Sequence, residues 1–210
     1  GTSSNPPGGS NFALSNTAGS INGASMQPSE TRNSEIGIKW ELLQRKLLLT
    51  AAAYRTEVEN ELTQLDPVTN TYSQLGRRQV QGLELSAVGK LSAAWDVNFG
   101  LATLDTKIKQ GTTGNNSAGA ATRWSPELTA TLWSSHALNR HWKVGGGARY
   151  VSEQKRVVDP SVNTATQNMP SIPAYWVADA MVQYSPDRNT TLRLNLNNLT
   201  DEDYISTLNN

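Results

Sequence analysis

The sequence predicts an all-β fold, an antiparallel transmembrane β-barrel segment of about eight long strands. Three observations predict it. The strand-like runs are roughly 10–14 residues long, where ordinary globular strands average about 5–6 and a tilted membrane-spanning strand needs about 9–11. Very short turns alternate with long polar loops. Aromatic residues collect at both ends of the runs.

The first hairpin runs from about Arg32 to Leu42, turns at Leu43-Gln44-Arg45 and returns from Lys46 to about Asn60. The second runs from Arg78 to Leu91, turns at Ser92-Ala93-Ala94 and returns from Trp95 to Lys107. The third runs from Pro126 to Leu138, turns at Asn139-Arg140 and returns from His141 to Glu153. The fourth runs from Ile172 to Tyr184, turns at Pro186-Asp187-Arg188 and returns from Thr190 to Thr200. Residues 1–31, rich in Gly, Ser, Asn and Pro, read as a loop. Short turns belong to the periplasmic end of such a barrel and long loops to the extracellular end, so 1–31 is expected to be extracellular.

Alternation supports the strands. In the last run Leu192, Leu194 and Leu196 share one face, while Arg193, Asn195 and Asn197 share the other. From His141 onward, Trp142, Val144, Gly146, Ala148 and Tyr150 oppose Lys143, Gly145, Gly147 and Arg149. Val97, Phe99 and Leu101 oppose Asp96, Asn98 and Gly100. A period of two with one polar face marks a strand half in an apolar medium, whether lipid or a soluble core. The aromatic positions favour lipid. Trp142 and Tyr150 share a face, and Trp176 and Tyr184 repeat the spacing. At about 2.5 Å of climb per residue for a tilted strand, that spacing covers about 20 Å, against an apolar band of about 25 Å edged by aromatic girdles. Trp40 and Trp95 also lie near short turns, and Tyr54 lies as far from its turn as Tyr150 does.

Composition removes several function classes. Lys+Arg and Asp+Glu both number 18, so no basic excess argues for a nucleic-acid partner. The chain has no cysteine, hence no disulfide, thiolate zinc site or cysteine nucleophile. No apolar run approaches the length of a membrane helix. No Ser-His-Asp arrangement, P-loop or dinucleotide fingerprint is present, so no enzyme activity and no cofactor are expected. His136 and His141 flank a turn and can face each other, but two imidazoles without a third ligand make a poor metal site.

The stretch Arg193-Leu-Asn-Leu-Asn-Asn-Leu-Thr-Asp-Glu-Asp-Tyr204 resembles the penultimate barrel strand of TonB-dependent receptors, with its N-L-x-N-L-x-D-x-x-Y pattern. Asn195, Leu196, Asn198, Leu199, Asp201 and Tyr204 match that pattern. Glu35, Gly37 and Lys39 resemble the family's E-x-G-x-K strand, and Gly82-Leu83-Glu84-Leu85 its G-x-E strand. Pro126, Trp133, Gly145-Gly146-Gly147 with Tyr150, and Tyr175 with Asp179 also fall where such receptors place them. The resemblance covers roughly residues 27–206, and its nearest flavour is the catecholate-siderophore branch. It implies a larger plugged barrel in the bacterial outer membrane that imports ferric siderophores with energy relayed by TonB. Residues 32–206 would form a C-terminal portion of that barrel. The plug domain, the TonB-contacting segment and the last strand are expected to lie outside this chain.

Ferric siderophores are often anionic, so the resemblance directs attention to cations and aromatics near loop ends. Arg77, Arg78, Arg123, Trp124, Lys155 and Arg156 are the candidate ligand contacts, with Tyr72 and Tyr175 nearby; solvated rim charge is the plainer reading of each. Arg149, Glu84, Asp179, Arg193 and Asn195 are expected to point into the lumen and satisfy one another, Asp179 with Arg193 in particular. Two other readings stay open at this point. One is a small self-contained outer-membrane barrel with a structural or adhesion role. The other is a soluble β-sandwich binding module.

Overall fold

A computed structural model of the chain describes residues 1–5, 26–66, 71–110, 119, 121, 124–156 and 171–206. The regular elements among them are strands: β1 (Thr2–Asn5), β2 (Ser29–Leu42), β3 (Leu47–Asp66), β4 (Thr71–Lys90), β5 (Trp95–Thr103), β6 (Asp105–Gln110), β7 (Leu128–Ala137), β8 (Trp142–Val151), β9 (Gln154–Lys155), β10 (Ser171–Ile172), β11 (Tyr175–Tyr184) and β12 (Leu192–Leu196). The main sheet runs β1-β2-β3-β4-β5-β7-β8-β11-β12, with β6 beside β4. Neighbours in that order pair antiparallel throughout, as four successive hairpins require. β9 and β10 make a separate two-stranded ladder.

The register lines up like with like. One row joins Ile38, Ala51, Leu85, Leu101, Ala130, Tyr150 and Trp176 across seven strands. Another joins Lys39, Thr50, Ser86, Gly100, Thr131, Arg149 and Val177. Each strand alternates, and a slip of one residue would exchange its two faces, so every pairing reinforces the same choice of face. The row through Trp40, close to its turn, reaches Ala178 in the middle of β11. Such drift is the stagger of tilted barrel strands.

The apolar face is open. Ile36 is 78% exposed, Trp40 61% and Trp176 59%. A soluble sandwich would cover this face with a second sheet, whereas lipid covers it in a barrel wall. The path also ends at β1 and β12 without those strands pairing with each other, so the described residues form no small closed barrel. Aromatics edge the face as expected. Trp142 and Tyr184 meet at 4.5 Å near the short turns, and Tyr150 and Trp176 at 4.7 Å at the other end. The few buried apolar side chains, among them Val177 and Met181, lie mainly on the opposite face of β11.

Several expectations need correcting. Residues 1–31 are not all loop, since Thr2–Asn5 pair with Ser29–Arg32. β3 and β4 are each 20 residues long and run well past the apolar band. Backbone pairing continues there although hydrophobic alternation stops, and alternation was the only sequence signal for strand ends. The run from Trp95 to Lys107 is broken at Leu104, where β5 gives way to β6. Tyr54 is no girdle residue. It lies on the polar face, over Gly82, and donates its hydroxyl to the Thr103 carbonyl at 3.2 Å. β12 stops at Leu196, short of Thr200, as the chain enters turns at Asn198 (φ 53°) and Asp201 (φ 50°).

The turns satisfy their own backbone. Leu43, Gln44 and Arg45 all take left-handed φ (53°, 58° and 67°), and Arg45 pairs with Glu41 at 3.0 Å. In the fourth turn Asp187 accepts the backbone N–H groups of Asn189 and Thr190, both at 2.8 Å. These donors, Asn189 first, hold its carboxyl below the ordinary carboxylate range. A lowered folded pKa stabilises the turn above the ordinary value and loses that contribution as pH falls through the folded pKa. Amide exchange at Asn189 and Thr190 is therefore expected to lose protection below about pH 4, and an Asp187→Ala receptor to lack that step.

Candidate functional site

The candidate residues fall at the long-loop end of the wall and on its polar face. At the rim, Arg77 approaches Glu59 at 3.8 Å and Arg78 meets Glu61 at 2.8 Å. Arg78 also carries a buried Nε with no hydrogen-bond partner. Lys155 lies 3.7 Å from Glu153, and its carbonyl accepts the Trp124 backbone N–H at 2.9 Å. Trp124 holds a left-handed φ of 55° to make that bond. Arg156 is exposed beside them. Arg123 lies outside the described residues, as does the side chain of Tyr72. Trp124 and Lys155 are thus joined across two loop bases, with Arg156 next in the chain, while Arg77 and Arg78 lie on β4.

A cavity of about 770 Å³ opens beside β6, lined among others by Tyr54, Gln81, Lys107, Glu127, Glu153 and Lys155. It is as large as small-molecule pockets commonly are. The rim around it is charge-balanced. Lys107 pairs with Asp105 and Lys155 with Glu153. These side chains are largely exposed, so each pair contributes at most about 1 kcal/mol and opens readily.

The polar face is hydrogen-bonded along its length. Near the short turns Asp96 takes Lys90 at 2.5 Å and Lys143 at 2.8 Å. Thr50 and Ser86 hydroxyls share a hydrogen bond. Glu84 sits between Ala52 and Ala102. The expected pair of Asp179 with Arg193 does not form. Asp179 lies 3.8 Å from Arg149 and accepts the Asn198 backbone N–H at 2.8 Å, while Arg193 donates to Gln183 at 2.8 Å. β12 pairs Arg193 with Gln183 directly, so Asp179 lies too far along β11 to reach it. The histidines also stay apart. His136 meets Trp95 edge-on at 6.2 Å, and His141 Nδ1 bonds the Ser185 carbonyl. Among the described residues no cluster of three metal-ligating side chains exists.

One arrangement escaped the sequence reading. Tyr204, past the end of β12, folds back onto the polar face. Its ring stacks on Tyr175 at 4.6 Å and its hydroxyl accepts Arg149 Nη2 at 2.8 Å. Tyr204 is visible in the motif, but its contact with Arg149 depends on the turn between.

The family description "TonB dependent receptor-like, beta-barrel" matches residues 1–199. The chain belongs to this family of TonB-dependent receptors. As in other such barrels of the outer membrane, its apolar face meets lipid and its polar face the lumen. The catecholate siderophore receptor Fiu of Escherichia coli (strain K12) is 39% identical over 99% of this chain. The probable TonB-dependent siderophore receptor PiuA of Acinetobacter baumannii is 33% identical over 88% of it. The crystal structure of Fiu in its closed form covers 97% of the chain with a TM-score of 0.81 and 38% identity. This TonB-dependent receptor chain spans 27% of the length of Fiu and 25% of that of PiuA. The relatives are receptors rather than enzymes.

Proposed function

We propose that the chain is wall and loops of an outer-membrane receptor that imports ferric siderophores, with catecholates as the ligand class and TonB as the energy source. The identity to a catecholate receptor over nearly the whole chain supports this most. In this reading the short turns face the periplasm and the long loops the cell exterior. Residues 1–31 belong to an extracellular loop, despite its short strand, and residues 32–206 to a C-terminal portion of the barrel. Plug and TonB-contacting segments are supplied by other parts of the receptor. A two-faced wall suits the task, because lipid needs an apolar exterior and a hydrated anionic complex needs a polar path.

Arg77, Arg78, Arg123, Trp124, Lys155 and Arg156 are the rim contacts in this reading. Arg77 and Lys155 stand exposed at the rim, where water screens what a single charge offers, so each acts as one of several weak contacts. Arg77→Ala or Lys155→Ala is expected to weaken ligand binding less than about fivefold, and a larger loss in a binding titration would mark that residue as a dominant contact. The reading itself is tested by expressing the full-length receptor in a strain stripped of its own catecholate receptors. TonB-dependent uptake of radioiron from ferric catecholate is the expected result. Folded receptor without uptake contradicts it.

A further inference from the structure

We propose that Arg149, held against Tyr204, contacts the anionic oxygens of the ferric catecholate inside the lumen; this rests on the receptor reading above. Arg149 lies on the polar face of β8, near its long-loop end, in the row that joins Thr131 to Val177. Its guanidinium carbon sits 5.6 Å over the Tyr204 ring.

Tyr204 is placed by a dense local network. Asp179 accepts the Asn198 backbone N–H, and the Leu199 N–H bonds the Ala178 carbonyl at 2.7 Å. The Asn198 side chain then bridges to Glu202, accepting its N–H and donating to its carbonyl, both at 3.1 Å. The left-handed turns fall on Asn198 and Asp201, residue types that tolerate them. Buried Tyr175 backs the Tyr204 ring. Two strands and a turn therefore fix one tyrosine beside one guanidinium.

That guanidinium has donors to spare. It carries five N–H groups, and the Tyr204 hydroxyl takes one. The facing Asp179 carboxylate uses one oxygen on Asn198, and its other stands 3.8 Å from Nη1, beyond hydrogen-bond distance. The Arg149 side chain is 43% exposed. Asp96, by contrast, is gripped by two lysines. A planar fork anchored by an aromatic hydroxyl suits adjacent anionic oxygens on a flat ring, the arrangement of a catecholate. The open part of the Tyr204 ring offers a stacking surface for that ring.

The test uses the full-length receptor in outer membranes and the radioiron complex of dihydroxybenzoate as probe. Binding is expressed per folded receptor, counted by its heat-modifiable band. Arg149→Gln is expected to weaken binding about tenfold or more, the usual effect of removing a charge-assisted hydrogen bond. Tyr204→Phe keeps the stack, frees the guanidinium and is expected to change binding by less than about threefold. Unchanged binding in Arg149→Gln overturns the proposal. If that variant reduces the folded receptor, Arg149→Lys decides, because it keeps the charge and loses the fork. A loss of about threefold or more supports the proposal, and wild-type affinity overturns it. Folded wild-type receptor that binds no ferric catecholate removes the receptor reading and this inference with it, whereas binding by wild type and variants alike removes this inference alone.

Discussion

Gly82→Val is expected to lower the amount of folded receptor in the outer membrane severalfold. The Thr103 carbonyl, at the end of β5, lies close over Gly82 of β4. A Cβ at position 82 would land on the Thr103 carbonyl oxygen and lie 2.7 Å from the Tyr54 hydroxyl. Neither neighbour yields cheaply. Thr103 is backbone in a paired strand, and its side-chain hydroxyl also accepts the Leu83 N–H at 2.8 Å. Tyr54 is held by its bond to the same carbonyl. Overpacking of this kind costs about 3 kcal/mol or more, against a total stability of about 5–15 kcal/mol for a typical domain. Immunoblotting for the heat-modifiable form checks the result. Gly146→Ala is the matched control, since the nearest atom to its added Cβ lies 3.5 Å away, and it is expected to fold normally.

Leu132→Arg and Thr131→Arg are expected to differ sharply although the two positions adjoin. Leu132 lies mid-strand on the lipid face, opposite Phe99 and Ala148. An arginine there costs about 2–4 kcal/mol near the bilayer midplane. Thr131 lies on the lumenal face, in the row with Ser86, Gly100 and Arg149. There the charge stays in water; beside Arg149 it meets like charge, which adds some tenths of a kcal/mol, and the total cost is expected at or below about 1 kcal/mol. Urea titration of receptor folded in lipid vesicles measures both. Equal costs would contradict the assignment of faces.

Much of this wall was legible in the sequence because a membrane barrel writes its faces with a period of two. Leu192, Leu194 and Leu196, or Trp142 through Tyr150, report the lipid side without any partner strand. The short turns were legible for the same reason, as gaps between two alternating runs. Beyond the apolar band the signal disappears. Ser29–Arg32 pair with β1 on backbone bonds alone, and no side-chain pattern marks them. Tyr54 misled because distance from a turn says nothing about face; its parity with Thr50 and Ala52 puts it on the lumenal side. Asp179 misled because proximity in sequence across a turn does not set register. The Arg149–Tyr204 contact joins residues 55 positions apart, and only the left-handed turn at Asn198 brings them together.

The central claim is that β8 and its neighbours cross the membrane with alternate residues in lipid and in water. The chain has no cysteine, so single cysteines can be introduced along β8 from Trp142 to Val151 in the full-length receptor, leaving out Gly147, where an added Cβ would land on the Leu132 carbonyl oxygen. With the receptor in lipid vesicles, a nitroxide placed at each position reports its surroundings through collisions with oxygen, which partitions into lipid, and with a nickel chelate, which stays in water. The account predicts oxygen access at 144, 146, 148 and 150 and lower oxygen access at 143, 145 and 149, a period of two. A uniform profile, or one of period near 3.6, would contradict it.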